Sequence, residues 1–93
     1  MKTQLACMEQ TLKHFGVSEM EYEIGKSAEA KSCIVDEDQG YSVFFMIKGQ
    51  RINEANFTSA DEACLYMIDG LSKSTYQSRQ MQQYWQCRCL AEE

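Results

Sequence analysis

YSVFFMIKGQRINEANFTSADEACLYMIDGL, residues 41–71, passes from strand to strand to helix without a proline. Val43 to Ile47 is apolar at every position, the composition of a central strand covered on both faces. Gly49-Gln50 suits a two-residue hairpin turn whose first position needs a positive φ. Arg51 to Phe57 then returns as an antiparallel partner, more polar and so nearer an edge. At Ser59 the period changes. Ser59 with Glu62 three residues on has the pattern of a capping box. Ala63, Cys64, Met67, Ile68 and Leu71 continue as one helical stripe, with Gly70 near its exit.

On the N-terminal side, Leu5, Met8, Leu12 and Phe15 recur at helical spacing and Gly16 stands where a C-cap glycine belongs. A first helix is predicted over residues 3–15. EMEYEI, residues 19–24, alternates strictly: Met20, Tyr22 and Ile24 fall on one side, Glu19, Glu21 and Glu23 on the other. Period two predicts a strand with one wet face. Residues 25–30 read as a loop, and Cys33 to Val35 as a short strand running into Asp36, Glu37 and Asp38, with Gly40 closing the turn. On the C-terminal side, Ser74 with Gln77 caps a last helix over residues 75–90, glutamine-rich and with a poor apolar stripe.

Strands clustered between helices predict a single α+β domain over residues 1–93: a short antiparallel sheet of about four strands, flanked by one N-terminal and two C-terminal helices. A domain of this size buries about two thirds of its unfolded surface, enough for one core and little room for a deep cleft.

The formal net charge is −5. The imbalance is local. From Glu19 to Glu62 there are ten acidic and four basic residues, a net of −6, whereas the rest of the chain nets +1. Such a surface repels phosphate backbones, which disfavours direct nucleic-acid binding. It attracts a basic partner and speeds the encounter, unless it serves solubility alone. No run approaches the ~20 apolar residues of a membrane span. The N-terminal stretch has no continuous apolar segment of the signal-peptide kind, and the five cysteines are an odd count. Reduced thiols and a cytoplasmic location are the expectation.

Motifs of catalysis are missing: no G-x-S-x-G, P-loop, H-E-x-x-H or GxGxxG. His14, the single histidine, closes a helix C-terminus, where partial positive charge suits the dipole. Cys87-x-Cys89 is too close for a zinc pair on a helix, and no second pair follows. Neither an enzyme nor a cofactor is expected. The candidate partner-binding residues are Glu19, Glu21 and Glu23, then Asp36, Glu37 and Asp38, and finally Tyr84 and Trp85. Tyr and Trp supply large rigid area with a polar handle, the composition of interface hot spots. The plainer alternative is that Trp85 pins the last helix to the sheet. The carboxylates likewise read either as a solvated face or as one awaiting cations.

The stretch from Tyr41 to Leu71, with its aromatic strand, glycine hairpin, strand ending in Phe57, Ser-x-x-Glu-Ala-Cys and amphipathic helix, resembles small immunity proteins of bacterial polymorphic toxin systems, including the contact-dependent growth inhibition type. Such proteins often begin this strand with tryptophan, where this chain has Tyr41, and the tail from Lys73 onward has no counterpart. The resemblance transfers no binding residue. It implies a role: a cytoplasmic antidote that blocks a cognate basic toxin, often a nuclease. The alternative is a small regulatory or adaptor module that dimerises through its aromatic C-terminal helix.

Overall fold

A computed structural model describes the backbone of residues 3–90 and the side chains of residues 5–88. The order of elements is α1 (Thr3–His14), β1 (Tyr22–Ile24), β2 (Ser32–Glu37), β3 (Gly40–Ile47), β4 (Gln50–Phe57), α2 (Ala60–Leu71) and α3 (Thr75–Trp85), followed by a π-helical turn over Gln86–Leu90. The fold is α+β, with an N-terminal helix, a four-stranded mixed sheet in the order β1-β2-β3-β4, and two C-terminal helices.

β3 lies between β2 and β4, and its two best-buried side chains point to opposite faces. Val43 joins the main core with Leu5, Met8 and Leu12 of α1, Ile34 of β2, Cys64, Met67 and Ile68 of α2, and Met81 and Trp85 of α3. Phe44 faces the other way, beside Cys33, Val35 and Met46. Among the described residues no helix contributes to that cluster. It is closed by the guanidinium of Arg51, 4.1 Å from the centre of the Phe44 ring, and by the segment before β2. The Cys33 thiol lies within hydrogen-bonding distance of the Ala28 amide and of the Ala28 and Lys31 carbonyls, which draws that segment over the sheet. Coverage fades along the strand, and Ile47 is exposed.

The sheet departs from the all-antiparallel expectation at its first strand. β1 pairs parallel to β2, with Tyr22 opposite Ser32 and Ile24 opposite Ile34. Parallel neighbours normally need a crossover of a dozen or more residues. Here β1 is three residues long, so the chain has only about 10 Å to retrace. Residues 25–31 do this without a helix, with Ala30 at a φ of +61°. Met20, assigned by its alternation to the buried side, precedes the strand and is 80% exposed.

The turn residues of the β3–β4 hairpin are Lys48 and Gly49, with φ values of +53° and +76°, one position earlier than Gly49-Gln50. Both amides donate to the Glu29 carboxylate, which holds this end of the sheet against the crossover segment. β4 is an edge strand, bent by a bulge at Asn53 opposite Phe44; a bulge twists an edge away from further pairing. At the other end, Gly40 has a φ of +143°, and a Cβ there would lie 2.2 Å from the Phe57 carbonyl oxygen. Only glycine fits.

Helix ends follow the sequence in two cases and differ in one. Gly16 and Val17 donate to the Lys13 and Leu12 carbonyls, the paired bonds of a Schellman ending for α1. Ser74 Oγ accepts from the Gln77 amide while Gln77 Oε1 accepts from the Lys73 amide, so α3 has a reciprocal cap. Ser59 occupies the N-cap of α2 but its side chain makes no cap bond, so the capping box there does not form. Asp61 and Glu62 in the first turn remain to favour the helix dipole.

α3 is more of a core helix than its glutamines suggest. Ser78, Met81 and Trp85 form its buried stripe. Ser78 Oγ donates to Asp69 Oδ1 at 2.7 Å and accepts from Gln82, so the polar member of the stripe is satisfied and links α3 to α2. Trp85 is fully buried. Cys33, Cys64 and Cys87 are free, whereas Cys7 is disulfide-bonded. The expectation of uniformly reduced thiols is therefore corrected. No described helix is long and apolar enough to cross a membrane.

Two outcomes follow from this packing. Trp85→Ala should cost about 3–5 kcal/mol, which lowers Tm by at least ~10 °C in a domain of this size, measured by calorimetry. Thiol labelling should separate the free cysteines. Burial raises the Cys33 thiol and pushes Cys64 up to about 12, whereas Cys87 is exposed. In the native protein a maleimide should modify Cys87 and spare Cys33 and Cys64 until denaturant is added, read by mass spectrometry of peptides.

Candidate functional site

The predicted carboxylates fall into two zones. Because β1 runs parallel to β2, its N-terminal end is level with the start of β2, and Asp36 to Asp38 lie past the far end of β1. Glu37 is five residues beyond Ser32, the partner of Tyr22, a separation of roughly 16 Å along the strand. Glu19 and Glu21 lie further back still. The sheet therefore does not merge the two groups into one patch.

The far zone surrounds the β2–β3 turn. Asp36, Glu37 and Asp38 are exposed there, and Glu37 and Asp38 line a groove of about 470 Å³ whose walls include Tyr41 and Phe57. The two aromatics are register partners across β3 and β4. Glu37 is tied down: Arg51 bonds it at 3.2 Å and also bonds Glu54. The Ser42 hydroxyl, followed by the Arg51 guanidinium, holds the Glu37 carboxyl below its ordinary value. Ser42 donates to Asn56 Oδ1 at 2.6 Å. Asp36 and Asp38 have no ion pair among the described residues.

The near zone lies where α1 meets β1. Glu19 pairs with Lys13 at 3.3 Å, with both side chains largely exposed. Glu23 pairs with Lys31 at 3.4 Å and is mostly covered. Glu21 is exposed, with no ion pair among the described residues. Of the six predicted carboxylates, three are thus engaged with a cation and three are free.

Tyr84 and Trp85 do not form a common surface. Trp85 points into the core. Tyr84 is half-buried and stacks on the His14 ring at 4.3 Å, with Phe15 edge-on at 5.5 Å and the Arg88 guanidinium 4.9 Å from its centre. This cluster joins the end of α1 to the end of α3, so His14 has a packing role. Among the described residues no group of three or more His, Cys, Asp or Glu is placed to hold a metal ion.

Sequence reasoning passed over two features. Ile47, Ile52 and Tyr66 are exposed around an apolar groove of about 410 Å³ between the β3–β4 hairpin and α2; they come from three different elements, and only the packing of hairpin on helix collects them. Glu9 and Tyr22 share a pocket with Glu19 and Glu23; a glutamate four residues from Leu5 was the available signal. Comparison with known protein families, with curated proteins and with solved structures finds no match to this chain.

The depressed Glu37 carboxyl has a pH signature. A carboxyl whose folded value lies below its unfolded one contributes stability above the unfolded value, near pH 4.3 for glutamate, and loses it as pH falls through the folded value. Glu37→Gln should melt below the wild type at neutral pH, and the gap should close as the solution is made acidic. Thermal melts across that range check this, and a gap constant with pH would assign the effect to packing.

Proposed function

We propose that this chain is a non-catalytic immunity protein that binds and neutralises a cognate bacterial toxin, covering a basic surface of it, of nuclease type, with carboxylates. The observation that carries the reading is the β2–β3 turn: three consecutive exposed carboxylates beside an open groove, of which Glu37 alone has an ion pair among the described residues. Asp36 and Asp38, exposed at the end of the hairpin and without an ion pair among the described residues, are suited to meet cations on a partner. Charges so placed accelerate encounter and set orientation more than they add affinity. The resemblance over Tyr41–Leu71 supports the same role.

An adaptor that dimerises through the C-terminal helix has less to offer its partner, since Trp85 is buried and Tyr84 is packed against His14. A cytoplasmic site of action belongs to the proposed role alone; the disulfide at Cys7 withdraws the thiol argument for it.

The test is binding kinetics with the basic domain of a large toxin, sought directly upstream of this gene where the toxin of an immunity protein is usually encoded. Association should slow as salt is raised, and Asp36→Lys with Asp38→Lys should slow it roughly tenfold at low ionic strength while leaving Tm nearly unchanged. Equal rates and equal salt dependence for wild type and variant would refute the role of this turn, and absence of any complex would refute the function.

A further inference from the structure

The near zone contains a smaller and deeper site. A pocket of about 240 Å³ is bounded by Glu9 of α1, Glu19, Tyr22, Glu23, Ile24 and Lys31. Tyr22 is 3% exposed, and its hydroxyl is buried without a hydrogen-bond partner. Buried polar atoms in folded proteins are nearly always bonded, so an orphan one asks for a cause. Its surroundings supply one. Burial first, then the charges of Glu9 and Glu19, raise the phenol above its ordinary value, and Lys13 opposes them. The hydroxyl thus senses the groups at the pocket and stays neutral, able to donate and to accept.

The lining carries three carboxylates and one ammonium, Lys31; Glu23 holds Lys31, and Glu19 holds Lys13 from outside the lining. Glu9 has no ion pair among the described residues. The carboxylates are not grouped for a metal ion. A larger cation with several donors matches them better. A guanidinium presents five N–H donors in one plane, sheds water more readily than an ammonium, and bonds several oxygens at once.

We infer that the pocket of Glu9, Glu19, Tyr22 and Glu23 is a socket for an arginine side chain of a protein partner, with the Tyr22 oxygen as the acceptor at its base. The inference rests on the reading of this chain as a binder of basic proteins and names the residue type such a partner inserts. In the free protein the orphan hydroxyl is a cost; in the complex it gains its bond. Tyr22→Phe therefore separates the two states, because it removes the cost and the acceptor together.

The probe is N-acetyl-argininamide, titrated into the full chain and followed by amide shifts in NMR, with N-acetyl-lysinamide as control. Shifts should saturate at Glu9, Glu19, Tyr22 and Glu23, and at lower concentration for the arginine probe. Tyr22→Phe should melt at or above the wild type and bind the probe roughly tenfold more weakly, the effect of one hydrogen bond to a charged group. Glu9→Gln should also weaken binding while the fold is kept. Shifts spread over all carboxylates, Asp36 to Asp38 included, or equal response to both probes, would overturn the socket. So would a Tyr22→Phe variant that melts lower and binds as well as the wild type, since the hydroxyl would then be satisfied by water. A toxin that fails to bind while the arginine probe still saturates the pocket refutes the proposed function and leaves the socket standing.

Discussion

Val43 and Phe44 are adjacent on one strand, so they point to opposite faces of the sheet, and neither is left to water. That requirement organises the molecule. Three helices cover Val43 on one face. Among the described residues no helix packs on the other, and Phe44 is closed instead by Arg51 and by the segment folded onto Cys33. Arg51 thereby acts three times: its plane lies over an aromatic ring while its nitrogens bond Glu37 and Glu54. Exposed ion pairs are individually worth little, but here the carboxylates also keep the guanidinium over Phe44. Acidic charge near the β2–β3 turn is partly a structural need of the second face.

The same closure explains the arrangement of the remaining charge. The segment that covers Cys33 must return from the end of β1 to the start of β2, and this return makes the two strands parallel. Parallel pairing places Glu19 and Glu21 at one end of the sheet and Asp36 to Asp38 at the other. Their separation exceeds the screening length of about 8 Å at physiological salt, so each zone acts on a partner independently. A basic surface engaging both must span the sheet; one engaging a single zone leaves the other solvated.

Period carries much of this architecture in the sequence. Leu5, Met8 and Leu12 mark α1, Val43 to Ile47 marks the central strand, and Ala63, Cys64, Met67 and Ile68 mark α2, because apolar spacing is the signal that burial imposes. Direction is not encoded that way. EMEYEI alternates equally well in a parallel or an antiparallel strand, and its length was overstated because Met20 alternates and is nevertheless exposed. The β3–β4 turn is displaced by one position because Lys48, not glycine, takes the first left-handed place, with Glu29 holding its amide. Ser59 and Ser74 look alike as caps, and only the second bonds its helix. Trp85 was ambiguous because its stripe includes Ser78, whose hydroxyl is satisfied by Asp69, a partner on another helix. The candidate carboxylates were legible as charge, but their division into two zones depends on strand direction.

Two buried donors in the described chain have no bonding partner, the Tyr22 hydroxyl and the Trp85 indole N–H, and their positions give them different meanings. Trp85 sits in the main core with Met81 and the α1 stripe, and lines none of the three pockets described above. An indole ring buries far more apolar area than its single N–H loses, so the orphan there is a tolerated cost of packing. Tyr22 buries its ring in the same core but also lines a pocket with Glu9, Glu19 and Glu23. A phenylalanine would fill that core position without the cost. The Tyr22 hydroxyl has no partner among the described residues, and in the proposed socket an inserted guanidinium supplies it.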